Sequence, residues 1–478
     1  MPFTGDIPLF INRALLSFAL LALPLLLLIE HSFAQSSSKS SVSAATSLAR
    51  AALPRGSVRN FGPAPAVPDG PLSAEVQAAA EKVFIDGITS GWGAEQDKAL
   101  DIIKKSKDPR WAWAVTDLLR FSSGGALGNE LSDTIKQLLN FNSGELSVWN
   151  DATNRLMAWN IPEPPNYLKY KSSVFTTVSP EWKPIFVAGD IDWRFVSWGG
   201  VQIDNRDFDT TDDPCSCIPA ADNPPVTDAK SAKWLEDDDI VFGIVLNGEA
   251  RAYPRQIMEV REMVNDTLGG RDLGIPYCTL CGAAQAWFTD DVPDGVDRPV
   301  LRTSGLLSRS NKVMYDLNTY SVFDTFRGNA VTGPLAEKGV KLNQANVVTT
   351  TWGEWKKSYP KTTVLEERLA LGRDFDFRNG RDADGPIFPI GNVDPRLPVQ
   401  EDILGIITAS GKPIAFHVGS LIKVLDAGEK VEIENVQIVL DAGGVKAVDK
   451  DGKDLGTHQA FWFAWSQFHP ETLLWPEI

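Results

Sequence analysis

Three textures of apolar and polar positions follow one another along the chain. Residues Ala14 to Ile29 form one apolar run behind Arg13, closed by Ser32-Phe33-Ala34. Small residues at such a place are what a signal peptidase reads, so a signal peptide is predicted over residues 1–34. The run falls short of the ~20 residues a spanning helix needs and contains Pro24, so cleavage is expected, with no membrane span afterwards. An uncleaved segment would act as an anchor. Residues 35–72 are rich in Ser, Ala and Pro and poor in apolar side chains, the composition of a flexible tether. From Ser73 the pattern turns helical: Val76, Ala79, Ala80, Val83 and Phe84, then Ala99, Leu100, Ile102 and Ile103, recur at helical spacing. Asp108-Pro109 opens a further apolar-faced segment from Trp111 to Phe121, so residues 73–165 are expected to form a small helical domain.

Beyond Tyr167 the chain reads as short β-type runs broken by Gly, Pro and Asn-Gly, and residues 166–478 are assigned to a β-rich α+β domain. Ile240–Leu246, Asn247-Gly248 and Glu249–Tyr253 predict a hairpin with a type I′ turn, because both turn residues tolerate positive φ. Ile257, Val260, Met263 and Val264 then predict a helix from Pro254 to Asp266, stopped by Gly269-Gly270. Asn247-Gly-Glu-Ala-Arg-Ala-Tyr253 is echoed by Ser410-Gly-Lys-Pro-Ile-Ala-Phe416 in its glycine, alanine and aromatic. Two related halves, or two ordinary hairpins that look alike by chance, both fit this echo.

Lys+Arg number 46 against Asp+Glu 62 in the 478 residues, a net charge of −16, which argues against nucleic acid as a partner. There is no Walker loop, dinucleotide fingerprint or zinc-protease helix, and Thr303-Ser-Gly305 lacks the flanking glycines of a hydrolase elbow. The chemistry with most promise lies in four cysteines, Cys215-Ser-Cys217 and Cys278-Thr-Leu-Cys281. Two disulfides, a four-thiolate metal site binding a transition ion such as zinc or copper, and a redox-active thiol pair all fit them. Ala283 to Phe288 reads as a strand, so the second pair is expected on a knuckle-like turn. Bridging Cys215 to Cys217 demands an unusual geometry, so disulfides are expected to cross between the motifs. His417, which stands in the second hairpin where Pro254 stands in the first, is a candidate supplementary ligand, although a lone histidine after a strand more often serves packing. His469 reads as a surface or capping residue. The carboxylate groups Asp237-Asp-Asp239, Asp374 with Asp376, and Asp382 with Asp384 read as solvated faces, and the tryptophans of Ala460–Trp465 as core.

The helical segment, with its Asp-Pro-Arg turn, resembles a fragment of a HEAT-type repeat. The main domain resembles a bacterial extracytoplasmic family known as domain of unknown function 3179. The matching runs are Gly243–Pro254, Val264-Asn-Asp-Thr-Leu-Gly-Gly270, Tyr277–Gly282, Ser304-Gly-Leu-Leu307, Met314-Tyr-Asp316, Thr351-Trp-Gly-Glu-Trp355 and Ala460–Trp465. The resemblance implies no established activity. The family usually carries a histidine where this chain has Arg261, and Tyr-Asn where it has Ser308-Arg309. Arginine has donors and no acceptor, so Arg261 suits an anion or a thiolate and not a metal. Asn265 and Asp266 are further candidates, with a cap or turn role as the alternative. The leading expectation is an exported protein whose metal or thiol site centres on Cys278 and Cys281, with Cys215, Cys217 and His417 in support and an unknown protein or small molecule as partner. The alternatives are a disulfide-stapled binding or scaffold protein and a carbohydrate-active enzyme.

Overall fold

The computed structural model describes residue 49 and residues 53–142, 147–210, 215–366 and 385–477. The signal segment, the first part of the tether, Asp212, Asp213, Asp374, Asp376, Asp382 and Asp384 lie outside the described residues. No helix among the described residues is long and apolar enough to cross a membrane.

Among the described residues, six helices of eight residues or more open the fold: α1 (Ala74–Glu81), α2 (Ala94–Ser106), α3 (Ala112–Phe121), α4 (Gly125–Leu139), α5 (Val148–Trp159) and α6 (Tyr167–Val178). Val76, Ala79 and Ala80, then Leu100 and Ile103, are the inward positions, as the spacing predicts. Asp108 caps the turn before α3, its carboxylate accepting from the Arg110 amide and holding the Arg110 guanidinium. The helical stretch runs past the change of texture read at Tyr167, because Tyr167, Tyr170, Lys171, Val174 and Phe175 give α6 one buried face. This layer does not stand apart: Trp182, Leu306, Val313 and Tyr315 belong to the same apolar cluster as the helices.

The remainder is α+β and β-rich, with five small sheets. Strands β1 (Ile240–Leu246) and β2 (Glu249–Pro254) form the expected hairpin, pairing Leu246 with Glu249 around Asn247 (φ 50°) and Gly248 (φ 84°). Helix α7 (Arg255–Arg261) follows but is shorter than the spacing predicts. Glu262 turns left-handed at φ 46°, and Met263–Leu268 is strand β3, paired with β4 (Arg271–Cys278). Gly269-Gly270 is therefore a hairpin turn and not a helix stop. Next come β5 (Leu301–Ser308) and β6 (Asn311–Asp316), which pair antiparallel. Then β7 (Val348–Thr351), α8 (Trp352–Ser358) and β8 (Thr363–Leu365) return to the first hairpin.

The same unit recurs. Strands β9 (Asp402–Ile407) and β10 (Pro413–His417) form a hairpin, α9 (Val418–Asp426) follows, and β11 (Thr457–Phe461), α10 (Trp462–Phe468) and β12 (Leu473–Trp475) return to it. The sheet orders are β7-β1-β2-β8, extended by Val226–Asp228, and β11-β9-β10-β12. In both, the last strand pairs parallel to the hairpin. Each repeat is locked the same way. Trp355 Nε1 donates to Thr362 Oγ1 at 2.9 Å, and Trp465 Nε1 to Thr472 Oγ1 at 2.8 Å. Each ring presses against a strand glycine: a Cβ at Gly243 would sit 2.1 Å from Trp355, and one at Gly405 2.3 Å from Trp465. Gly243→Ala and Gly405→Ala are each expected to displace the facing indole and lower stability by about 1–3 kcal/mol, measured by urea unfolding. An unchanged midpoint in both variants would refute this account of the lock.

Candidate functional site

The knuckle at Cys278 is built by strand pairing. Strand β4 ends at Cys278, Thr279–Cys281 make one 3-10 turn, and Ala283–Ala284 pair back on Tyr277 and Cys278. Gly282 closes the turn at φ 61°, with the Phe461 ring 3.0 Å from where a Cβ would lie, so glycine is required twice over. Cys278 is bridged to Cys281, and Cys215 to Cys217. The expected cross-pairing is thus corrected. Both turns bring their own Cα atoms to 5.1–5.2 Å, inside the range a disulfide spans, even with one residue between the cysteines.

The loop carrying Cys215 and Cys217 is held from several sides. The Gln202 amide donates to the Ser216 carbonyl at 2.9 Å, and Thr303 Oγ1 to the Ile218 carbonyl at 2.8 Å. Arg261, buried at the end of α7, donates to the Ala220 carbonyl at 3.1 Å, while the Ala220 amide donates to Asp204 Oδ2 at 2.8 Å. The two cysteine motifs, about sixty residues apart in sequence, meet at a cavity of about 450 Å³. Cys217 and Cys278 both line it, with Glu259 and Glu262 from the end of α7, Thr279 and Leu280 from the knuckle, Thr303 to Leu307 from β5, and Lys312 from β6.

The cavity's polar groups are bound to one another. Lys312 Nζ pairs with Glu262 Oε2, and Thr279 Oγ1, between the cysteines, donates to Glu262 Oε1 at 2.8 Å. Burial pushes the Lys312 ammonium below its ordinary range, opposed by Glu262. Glu259, almost fully buried, has Arg255 Nε at 3.6 Å. None of Glu259, Glu262 and Lys312 was singled out by the sequence reading. The available signal was Lys312, a charge within the wholly buried strand Asn311–Asp316.

Other candidates lie elsewhere. Asn265 sits on β3, not at a helix end, and its amide stitches Asp222 to Leu301, donating to Asp222 Oδ1 at 2.8 Å and to the Leu301 carbonyl at 3.0 Å. Asp266 accepts from Arg251 at 2.6 and 2.7 Å and from the Tyr253 hydroxyl at 2.7 Å. His417 caps α9, with Ser420 Oγ and Glu401 Oε1 each 2.7 Å from its ring nitrogens. None of these three residues lines the cavity, nor does Arg261. His469, expected as a surface or capping residue, does cap α10, its amide donating to the Trp465 carbonyl at 3.0 Å, but it is buried and not on the surface, with its ring 4.3 Å from that of Trp465.

Residues 215–472, more than half of the chain, match the family described as "Protein of unknown function (DUF3179)". The chain belongs to this family. Within DUF3179 the matched segment contains both cysteine pairs, the cavity's α7, β5 and β6 walls, the first repeated unit, and the second up to its last strand, β12. No curated protein and no solved structure matches the chain.

Proposed function

We propose that this DUF3179 member is an extracytoplasmic thiol–disulfide exchange protein with Cys278–Cys281 as its reacting pair. The observation that supports it is the cavity, whose lining includes Cys278 of one pair and Cys217 of the other. Both sulfur-bearing residues are buried from bulk solvent, but Cys278 lines the cavity and Cys281 does not, its sulfur lying 3.9 Å from the Ser310 carbonyl, so Cys278 is the sulfur an entering thiolate would reach. A thiolate entering the cavity would bond to Cys278 as the Cys278–Cys281 bond breaks, and Cys281 would leave and take up the proton. A second thiol would resolve the mixed disulfide and leave the dithiol, which an external disulfide reoxidises. The signal-like segment at residues 1–34 supports an oxidising compartment, where such a cycle operates.

Loop length weighs against the scaffold alternative. A disulfide stabilises mainly by closing a loop in the unfolded chain, and bridges spanning two or three residues close almost none: about 2 kcal/mol each at most. They join no distant parts of the fold. Reduction of the native protein by a dithiol is expected to leave it folded, with stability lowered by no more than about 4 kcal/mol for both bridges. Differential alkylation with mass mapping should then show Cys278 labelled before Cys281. Cysteines that stay unreactive in the folded protein, or unfolding on reduction, would rule the exchange reading out.

One observation favours a second reading. Donor atoms of Asp204, Cys215 and Cys217 lie within 4.8 Å of one another, as a metal such as zinc or copper requires once the bridge is reduced. Yet Asp204 already accepts from Arg206 Nε at 2.7 Å and the Ala220 amide at 2.8 Å, with Arg302 Nε 3.9 Å away. Two guanidinium groups beside the carboxylate oppose a further cation. Stoichiometric metal retained by the reduced protein, and lost in Cys215→Ser, would establish this reading over exchange. For carbohydrate chemistry, Glu259 and Glu262 meet in the cavity but lie three residues apart at one helix end, rather than across a cleft.

A further inference from the structure

Resting on the exchange reading, we infer that the cavity selects thiols carried on apolar, uncharged groups and discriminates against anionic thiols of the glutathione type. Its walls are Val201, Ile218, Leu280, Leu306, Leu307 and Phe388, drawn from separate parts of the chain. The hydroxyl groups among them are spent internally: Thr303 on the Ile218 carbonyl, Ser304 on the Val313 carbonyl, and Thr279 on Glu262. The one cation of the lining, Lys312, is bound to Glu262, and no arginine lines the cavity among the described residues. Glu259 adds a second carboxylate. A ligand carboxylate entering here would lose its water and meet two carboxylates and a lysine already paired with one of them, whereas an apolar carrier loses nothing and covers apolar wall. The reacting sulfur, Cys278, is thus reached through a filter that a charged thiol passes poorly.

The reaction balances with the thiol as reductant. The first R–SH, as thiolate, forms R–S–S–Cys278 while the bond to Cys281 breaks, and its proton ends on Cys281. The second R–S⁻ attacks the R sulfur, Cys278 leaves and takes the second proton, and the products are R–S–S–R and the Cys278, Cys281 dithiol. The carrier is either a small molecule or an apolar stretch of polypeptide, and the experiment distinguishes the two sources.

The full chain, oxidised, is mixed separately with benzyl mercaptan, with the capped tripeptide acetyl-Leu-Cys-Val-amide and with glutathione. Loss of the Cys278–Cys281 bridge is followed by quenched alkylation and mass mapping. Each rate is divided by that thiol's rate with a small uncharged disulfide, which removes differences in thiol acidity. Both apolar probes should outrun glutathione by about tenfold or more, the penalty expected for burying an uncompensated charge. A faster tripeptide points to polypeptide as the source, and a faster benzyl mercaptan to a small molecule. Leu280→Lys, at a half-buried position on the turn, should bring the ratio close to one. Equal normalised rates in the parent protein, or a ratio untouched by Leu280→Lys, would overturn the selectivity while leaving exchange intact. Failure of all three thiols to open the bridge would overturn the exchange reading itself.

Discussion

Replacing Arg302 by methionine should lower stability by about 3–5 kcal/mol, the usual consequence of removing one partner of a buried ion pair. Arg302 and Asp222 are both fully shielded at their side chains, and Arg302 Nη1 donates to Asp222 Oδ1 at 2.8 Å. Asp222 also accepts from Asn265, so this carboxylate ties β3 to β5, and its loss of a cation leaves a charge that water cannot reach. Arg302→Lys keeps the charge but loses the paired donor geometry, so it should recover only part of the stability. Because Arg302 precedes Thr303 in the cavity wall and stands near Asp204, which lies close to the Cys215–Cys217 bridge, the methionine variant should also speed alkylation of Cys217 once that bridge has been reduced. Urea unfolding at neutral pH measures the first effect and timed labelling the second. A loss under about 1 kcal/mol would mean that the pair is not what holds this wall.

The network around Arg302 shows what could be read from the sequence and what could not. The Asn247-Gly248 hairpin was legible because its signal is local: two residues that accept positive φ between two apolar runs. The echo between the hairpins was legible for the same reason. The deeper repetition escaped, because the paired units Trp352-Gly-Glu-Trp355 with Thr362, and Trp462-Phe-Ala-Trp465 with Thr472, declare themselves only when each indole is seen on its strand glycine. Gly269-Gly270 was misread because a glycine pair ends a helix or turns a hairpin equally well, and Met263 and Val264 happen to continue the helical spacing of α7. Competition from β4 decided it. The meeting of the two cysteine motifs at one cavity was not legible, whereas Ala283–Ala284 was legible as strand. Glu262 and Lys312, fifty residues apart, could not be joined without the tertiary fold.

Acidification should destabilise the protein steeply from pH ~6.5 downward, through two histidines that the fold keeps neutral. Burial pushes the His458 imidazole down to about 3, helped by the nearby His469, and burial pushes His469 down to about 3 as well, helped by Arg327. His458 lies between the Gln344 and Gln285 amides, 2.7 and 3.4 Å from its ring nitrogens, and His469 is stacked on Trp465. In the unfolded chain both rings take a proton near pH 6.5, whereas in the folded protein they do not until the pH nears 3. Between those limits the unfolded state binds more protons, so stability is complete above pH ~6.5 and falls with pH by roughly 1.4 kcal/mol per unit for each ring. From pH 7.5 to pH 5 the two together should cost roughly 4 kcal/mol, read as the shift in unfolding free energy from urea titrations at the two values. The paired variant His458→Gln, His469→Gln should lose most of this slope whatever its stability at neutral pH. A parent protein equally stable at both values would show that these rings take up protons in the folded state. It would mean that the Trp465 lock of the second repeat opens to water more readily than its burial implies.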